Sequence, residues 1–209
     1  MSNVFVHPTA IVENDVRIGA GTKIWDNVHV RHGAEIGREC IIGEKSYVAY
    51  EVRIGNFVKI NAQVYICALV TIEDFVMISA GTVFTNDKFP RAFSPDLSGL
   101  AGSDPTDETL ATFVRQGTTI GAHATIGCGI EIGRFAMVGM GSVVTKSVAP
   151  FSLVFGNPAR LRGYVCICGN LLGNEHLFEQ TAVATCERCH RQYCQGTANQ
   201  VEELTAVAK

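Results

Sequence analysis

A branched aliphatic side chain recurs at every sixth position through most of this chain, and no other feature restricts the fold as much. Val6, Val12, Ile18, Ile24, Val30, Ile36, Ile42, Val48, Ile54, Ile60, Ile66, Ile72 and Ile78 lie six apart. Phe84 closes that run, and a second block follows at Val114, Ile120, Ile126, Ile132, Val138 and Val144. Nineteen of these twenty positions are Ile or Val, which together make up 39 of the 209 residues. A period of six matches neither the α-helix nor a simple alternating strand. It is the mark of a stacked repeat in which no single unit can bury its own apolar face. Glycine often follows the aliphatic, as at Gly19, Gly37, Gly43, Gly55, Gly121, Gly127, Gly133 and Gly139. A small or β-branched residue lies four positions beyond it, as at Val16, Thr22, Ala34, Cys40, Val52, Val58 and Ala124.

The expected fold is all-β, a parallel β-solenoid in which each hexad supplies one short strand and one corner. Three hexads close a triangular coil of 18 residues. Val12, Val30, Val48 and Ile66 should then stack as one internal ladder, and Ile18, Ile36, Ile54 and Ile72 as another. Composition agrees: there are 23 Val and 16 Ile against 10 Leu, and Leu69 is the only Leu before Asp96. Stiff β-branched side chains suit a pleated surface, so a helix bundle is excluded. A net charge of −3 with 18% charged residues argues against a nucleic-acid-binding protein and against a disordered chain. No signal segment and no apolar run of membrane-spanning length is visible, so a cytoplasmic location without membrane association is expected.

The ladder breaks twice. Positions 90, 96, 102 and 108 are Pro90, Asp96, Gly102 and Glu108, so a loop over 85–113 should leave the coil at a corner and return in phase at Val114. Loops this long are disproportionately functional. The second break comes after Arg162, where five of the eight cysteines gather. Cys166 and Cys168, then Cys186 and Cys189, have the pairing of a tetrahedral zinc site on two turns, with His190 or Cys194 as substitute ligands. A segment this short needs such a staple, so a zinc-ribbon-like tail with a structural zinc is expected over 164–209, after a solenoid domain over 1–163. The end, Thr197 to Lys209, should be frayed.

The segment VFTNDKFPRA opening the loop, VRQGTTIGAHATIGCGIEIG closing it, and the later VGMGSVVTKSV and VFGNPARLRG resemble the hexapeptide-repeat nucleotide-sugar N-acetyltransferases, over about Val6 to Gly163. That resemblance implies a left-handed β-helix and a homotrimer with active sites between subunits. It implies acetyl-CoA as co-substrate and a 3-amino sugar linked to UDP or dTDP as acceptor. It places Asn86 beside the sugar amine, with Asp87 and Arg91 on the substrate side. Gly139, Gly141 and Ser142 fall along the pantetheine groove, and Lys146, Pro158 and Arg160 at the coenzyme A end. His123, outward-facing after the loop, is a candidate base unless the departing coenzyme A sulfur takes the proton. Trp25 and Tyr65 are candidates for stacking on the base, with Tyr47 and Tyr50 nearby. The chain departs from some relatives at Glu44 to Val48 and Lys59 to Val64, which bears on base and sugar specificity. Rival readings are a hydroxyl-directed O-acetyltransferase, a γ-class carbonic anhydrase, for which the histidines lack the spacing, and a non-enzymatic scaffold.

Overall fold

The structure, a computed structural model, describes residues 3–102, 105–196 and 200–204. It is a parallel β-solenoid; the one helical segment among the described residues is Leu177–Gln180. Strands of two or three residues form three flat faces, and each pairs in parallel with the strands 18 residues away until the loop intervenes. The first face runs from Phe5–Val6 to Met137–Val138, the second from Ile11–Val12 to Val143–Val144, and the third from Arg17–Ile18 to Glu131–Ile132. Val12 is in register with Val30, Val30 with Val48, and Val48 with Ile66. On the third face Ile18, Ile36, Ile54 and Ile72 align in the same way. Both ladders expected from the hexads are therefore present.

Each hexad points two residues inward, the repeating aliphatic and the residue four beyond it. From Ile24 onward both are buried, and polar residues at the second position bond to backbone. The Thr22 hydroxyl donates to the Gly37 carbonyl (2.7 Å), Thr118 to Gly133 (3.0 Å) and Ser142 to Gly139 (2.7 Å). Burying each Ile contributes about 1.5–3 kcal/mol. The first coil lacks a neighbour below, so the inward Val6 is 41% exposed and the inward Val12 only half-buried.

Corners obey a second rule. In seventeen hexads, from Val12 through Val138, the third residue after the inward aliphatic is left-handed, with φ between 54° and 77°. Six of these are glycine and none is Val, Ile or Thr, because a β-branched side chain is the costliest occupant of that region. In a chain rich in Val and Ile this exclusion was a readable corner signal that the periodicity argument passed over. Residues in one corner column stack. Phe57 lies parallel to Phe75 at 5.0 Å and Phe135 to Phe151 at 5.5 Å, and Gly117 makes room for the Phe135 ring.

The chain leaves the second face after Val83–Phe84 and resumes on the third at Thr112–Val114, where Ile72 is in register with Val114. Phase is thus kept across the loop. The last coil continues into an antiparallel hairpin, Ser152–Gly156 with Ala159–Val165, and Leu171–Asn174 is added to its edge. A separate sheet of Val183–Thr185, Gln192–Gln195 and Val201–Glu203 completes the tail around a second core of Phe151, Tyr164, Cys166, Cys186, Tyr193 and Val201. The expectation of a frayed end is corrected here: Val201 is 1% exposed and its strand pairs with Gln192–Gln195, because this apolar side chain fills the second core. Positions 197–199 and 205–209 lie outside the described residues.

Glu13 ties the first coils together. It pairs with Arg31 (2.7 Å) and His29 (2.9 Å), and accepts from the His32 backbone N–H (2.9 Å) and ring (3.2 Å); Arg31 also donates to the Tyr47 hydroxyl (2.9 Å). The His32 backbone N–H, helped by the side chains of His29, Arg31 and His32 against partial burial, holds the Glu13 carboxyl at about 2, below the usual 4.5. A depressed carboxylate stabilises the fold above its ordinary pKa and loses that contribution as pH falls through the folded value. Thermal melts should therefore show wild type losing its advantage over Glu13→Gln between about pH 4.5 and 2. A gap that stays constant over that window would contradict the assignment. At Gly117, where φ is +70° and a Cβ would sit 2.2 Å from the Phe135 ring, Gly117→Ala should cost about 1–3 kcal/mol by chemical denaturation. Gly99→Ala, with nothing within 4 Å, should be nearly neutral.

Candidate active site

The loop is built on a closed neck. The Thr85 backbone N–H and hydroxyl both donate to the Ile126 carbonyl (3.0 and 3.2 Å), and the Leu110 N–H donates to the Asn86 carbonyl (3.1 Å). Leu110 then fills the corner above Gly129. Inside the loop is a concavity of about 770 Å³ whose lining includes Asn86, Asp87, Lys88, Phe89, Arg91 and Glu108. The three substrate-side candidates Asn86, Asp87 and Arg91 thus share one hollow, lined also by Phe89, Phe93 and Leu110. Lys88, lying over the Phe89 ring at 5.6 Å, and Glu108 are further lining residues that motif reasoning passed over. Below the neck, burial pushes the Cys67 thiol up to about 12, so it has no nucleophilic character at neutral pH.

His123 occupies a left-handed corner, φ 55°, and is exposed as expected. Its backbone N–H donates to the Ala80 carbonyl (2.9 Å), and its ring lies over Gly81, where a Cβ would stand 2.5 Å from Nδ1. On the coil above, Gly141 faces open space. Two glycines flanking His123 in one column leave its imidazole in a notch, a feature visible in sequence only once the corner rule is known. His123 lies against the entry to strand Val83–Phe84 and Asn86 follows its exit.

Of the three small residues expected along a pantetheine groove, only Gly141 presents an open surface. Ser142 is fully buried, with its hydroxyl turned to the Gly139 carbonyl, because it holds the inward position four beyond Val138. The space beside Gly139 is taken by Phe155, 2.6 Å from where a Cβ would stand. Lys146 and Arg160 line one depression of about 310 Å³ with Ser147, Ala149, Ala159 and Leu161. Pro158, exposed and preceded by a cis peptide bond, sits in the turn of the same hairpin. Two cations lining one depression form a site suited to phosphates.

The aromatic candidates separate. Tyr65 stacks on Tyr47 at 5.1 Å, and His29 meets Tyr47 edge-on, in a ladder along the second face. Trp25 instead packs edge-to-face with Phe5 at 5.6 Å by the open end, so its grouping with the tyrosines is corrected. Tyr50 stacks with His32.

In the tail, the sulfurs of Cys166, Cys168, Cys186 and Cys189 all lie within 4.8 Å of one another. Zinc–sulfur bonds of about 2.3 Å in a tetrahedron place sulfurs about 3.8 Å apart. The Cys166–Cys189 and Cys168–Cys186 separations of 3.3 and 3.6 Å are close to that value. Each pair sits on a turn: the Gly169 N–H donates to the Cys166 carbonyl, and the His190 N–H to the Cys186 carbonyl. The backbone N–H of Arg191 lowers the Cys189 thiol to about 6. The four-sulfur set closes without His190 or Cys194. Four convergent thiols of this spacing fit a divalent zinc ion.

The bacterial transferase hexapeptide family (six repeats) matches residues 15–49, and the hexapeptide repeat of succinyl-transferase matches residues 116–146. The dTDP-3-amino-3,6-dideoxy-alpha-D-galactopyranose 3-N-acetyltransferase of Aneurinibacillus thermoaerophilus is 46% identical over 198 residues, 94% of this chain and 95% of its own. A serine acetyltransferase of Salmonella typhimurium is 42% identical over 64 residues, covering 31% of this chain and 23% of its own. Among solved structures, a point variant of AntD, an N-acyltransferase from Bacillus cereus in complex with dTDP and coenzyme A, superposes with a TM-score of 0.52 at 20% identity, over 78% of this chain and 81% of that one. That last likeness is one of fold, while the Aneurinibacillus relative matches almost end to end, through the loop, the hairpin and into the tail. The chain belongs to the hexapeptide-repeat nucleotide-sugar N-acetyltransferases.

Proposed function

We propose that this chain moves the acetyl group of acetyl-CoA onto the 3-amino group of a nucleotide-linked amino deoxysugar, with dTDP as the nucleotide. The observation that carries this reading is the 46% identity to an enzyme of that name along almost the whole chain. The hollow at Asn86, Asp87 and Arg91 supports it. In the reaction the neutral amine attacks the thioester carbonyl, a C–N bond forms, the C–S bond breaks, and coenzyme A leaves as the thiolate. Asn86 orients the amine, and uncharged donors stabilise the oxyanion. Lys146 and Arg160 hold phosphates of coenzyme A, Gly141 gives the pantetheine close passage, and Tyr65 offers its face to the base.

Acetyl transfer takes place between neighbouring copies of a homotrimer, which supplies three such sites. The coil is left-handed, the loop projects beside the neighbouring subunit, and residues 1–163 form the transferase unit. Residues 164–209 form an appended ribbon that holds a structural zinc ion through Cys166, Cys168, Cys186 and Cys189. Among the described residues no helix is long and apolar enough to cross a membrane, and eight cysteines without a disulfide suit a reducing cytoplasm.

The departing coenzyme A sulfur takes the proton, and His123, in its notch beside Gly81, shapes the site. Thiol release with acetyl-CoA should be seen with a dTDP-linked 3-amino-3,6-dideoxysugar and be absent with the matching 3-hydroxy sugar. No release with any amino-sugar nucleotide would sink the proposal. His123→Asn should keep kcat within about tenfold, since losing a true base costs about 10²–10⁴. A fall beyond a hundredfold would assign it the proton.

A further inference from the structure

The hairpin that carries Pro158 and Arg160 is held from below by the cysteine unit. Its outer strand, Ala159–Val165, begins beside the depression of Lys146 and Arg160 and runs directly into Cys166. Over Arg160–Arg162 this strand is exposed. There it pairs only with Ser152–Gly156, because Leu171–Asn174 reaches no further than Gly163. The tip therefore overhangs, and its position depends on the base. At the base one side chain secures both strands. Tyr193, on the separate three-stranded sheet, is fully buried. Its ring meets Phe151, just ahead of the inner strand, at 5.2 Å. Its hydroxyl lies 3.0 Å from the Cys166 sulfur and accepts from the Ile167 N–H at 3.1 Å, just past the end of the outer strand. Phe151 is itself stacked on Phe135 of the last full coil, and the Val165 N–H donates to the Phe151 carbonyl (2.8 Å).

Tyr193 is kept in that seam by the turn that precedes its strand, which carries Cys186 and Cys189, two of the four metal-binding cysteines. The other two, Cys166 and Cys168, follow the hairpin strand itself. A metal ion across the two turns thus cross-links the three-stranded sheet to the donor hairpin. We infer that the cysteine unit is a clasp on the acyl-donor site, with Tyr193 as its positioning residue, so that metal occupancy sets affinity for coenzyme A and leaves the acceptor site alone. This rests on the zinc and donor-site assignments proposed above.

The test uses the full-length chain in its native assembly. Metal content is measured as purified, after stepwise removal by a chelator, and after zinc is added back. At each step the Kd for coenzyme A is read by calorimetry, the KM values for acetyl-CoA and the amino sugar are determined, and assembly is followed by light scattering. The Kd and the acetyl-CoA KM should rise at least fivefold in step with metal loss, with the sugar KM within twofold and full reversal by zinc. Tyr193→Phe, which keeps the ring, should release metal at lower chelator concentration, as loss of a ligand's outer partner does. Coenzyme A affinity that ignores metal loss would overturn the clasp, as would simultaneous loss of both substrates with dissociation of the assembly. A purified chain without metal would instead overturn the zinc assignment. Arg160→Ala with unchanged acetyl-CoA affinity would overturn the donor assignment.

Discussion

Everything in this molecule hangs on the match between a six-residue sequence period and an 18-residue coil. Because each strand of the coil is two or three residues long, no face could stand alone. Stability comes from parallel backbone pairing to the coils above and below, and from inward side chains meeting their counterparts one coil away. Ile42 lies on Ile24 and Ile60 on Ile42, so each new coil completes the burial of the last. Two ends are left over. The first coil leaves Phe5, Val6 and Ile11 exposed, while the last is covered by the hairpin and the tail's own core around Tyr193.

The functional elements sit where this arithmetic is suspended. A coil with two inward residues per hexad has a filled interior and flat outer faces, so it offers no deep cavity. Concavity has to come from what is added at corners or ends. The loop hollow of Asn86, Asp87 and Arg91 and the hairpin depression of Lys146 and Arg160 are two such additions. Corner residues contribute differently: His123 gains its notch because Gly81 and Gly141, in the same column, carry no side chains.

Much of this was readable from residues alone, and the parts that were not share a cause. Period and register follow from the spacing of Val and Ile, and the return of the chain to phase at Val114 follows from counting hexads across the loop. The two cysteine turns follow from pair spacing. What failed was side-chain direction at positions outside the aliphatic ladder. The family resemblance implies a groove position for Ser142, but its place four beyond Val138 sends it into the core. Trp25 and Tyr65 are both aromatic and outward, yet they lie on different faces, and an hexad count alone assigns faces only when each residue is followed around the corner. Val201 resisted reading because a three-residue strand in a polar tail is specified by one buried contact with a second core that periodicity does not announce.

The loop's neck has a further consequence. Thr85 is bonded to Ile126 and Asn86 to Leu110, so the chain leaves and re-enters the coil at almost one point, and the coils on either side hold Ile72 and Val114 in register whatever lies between. Loop closure entropy grows only slowly with length. The corner is thus a socket. Segments of other lengths and chemistries can be grafted there without redesigning the core.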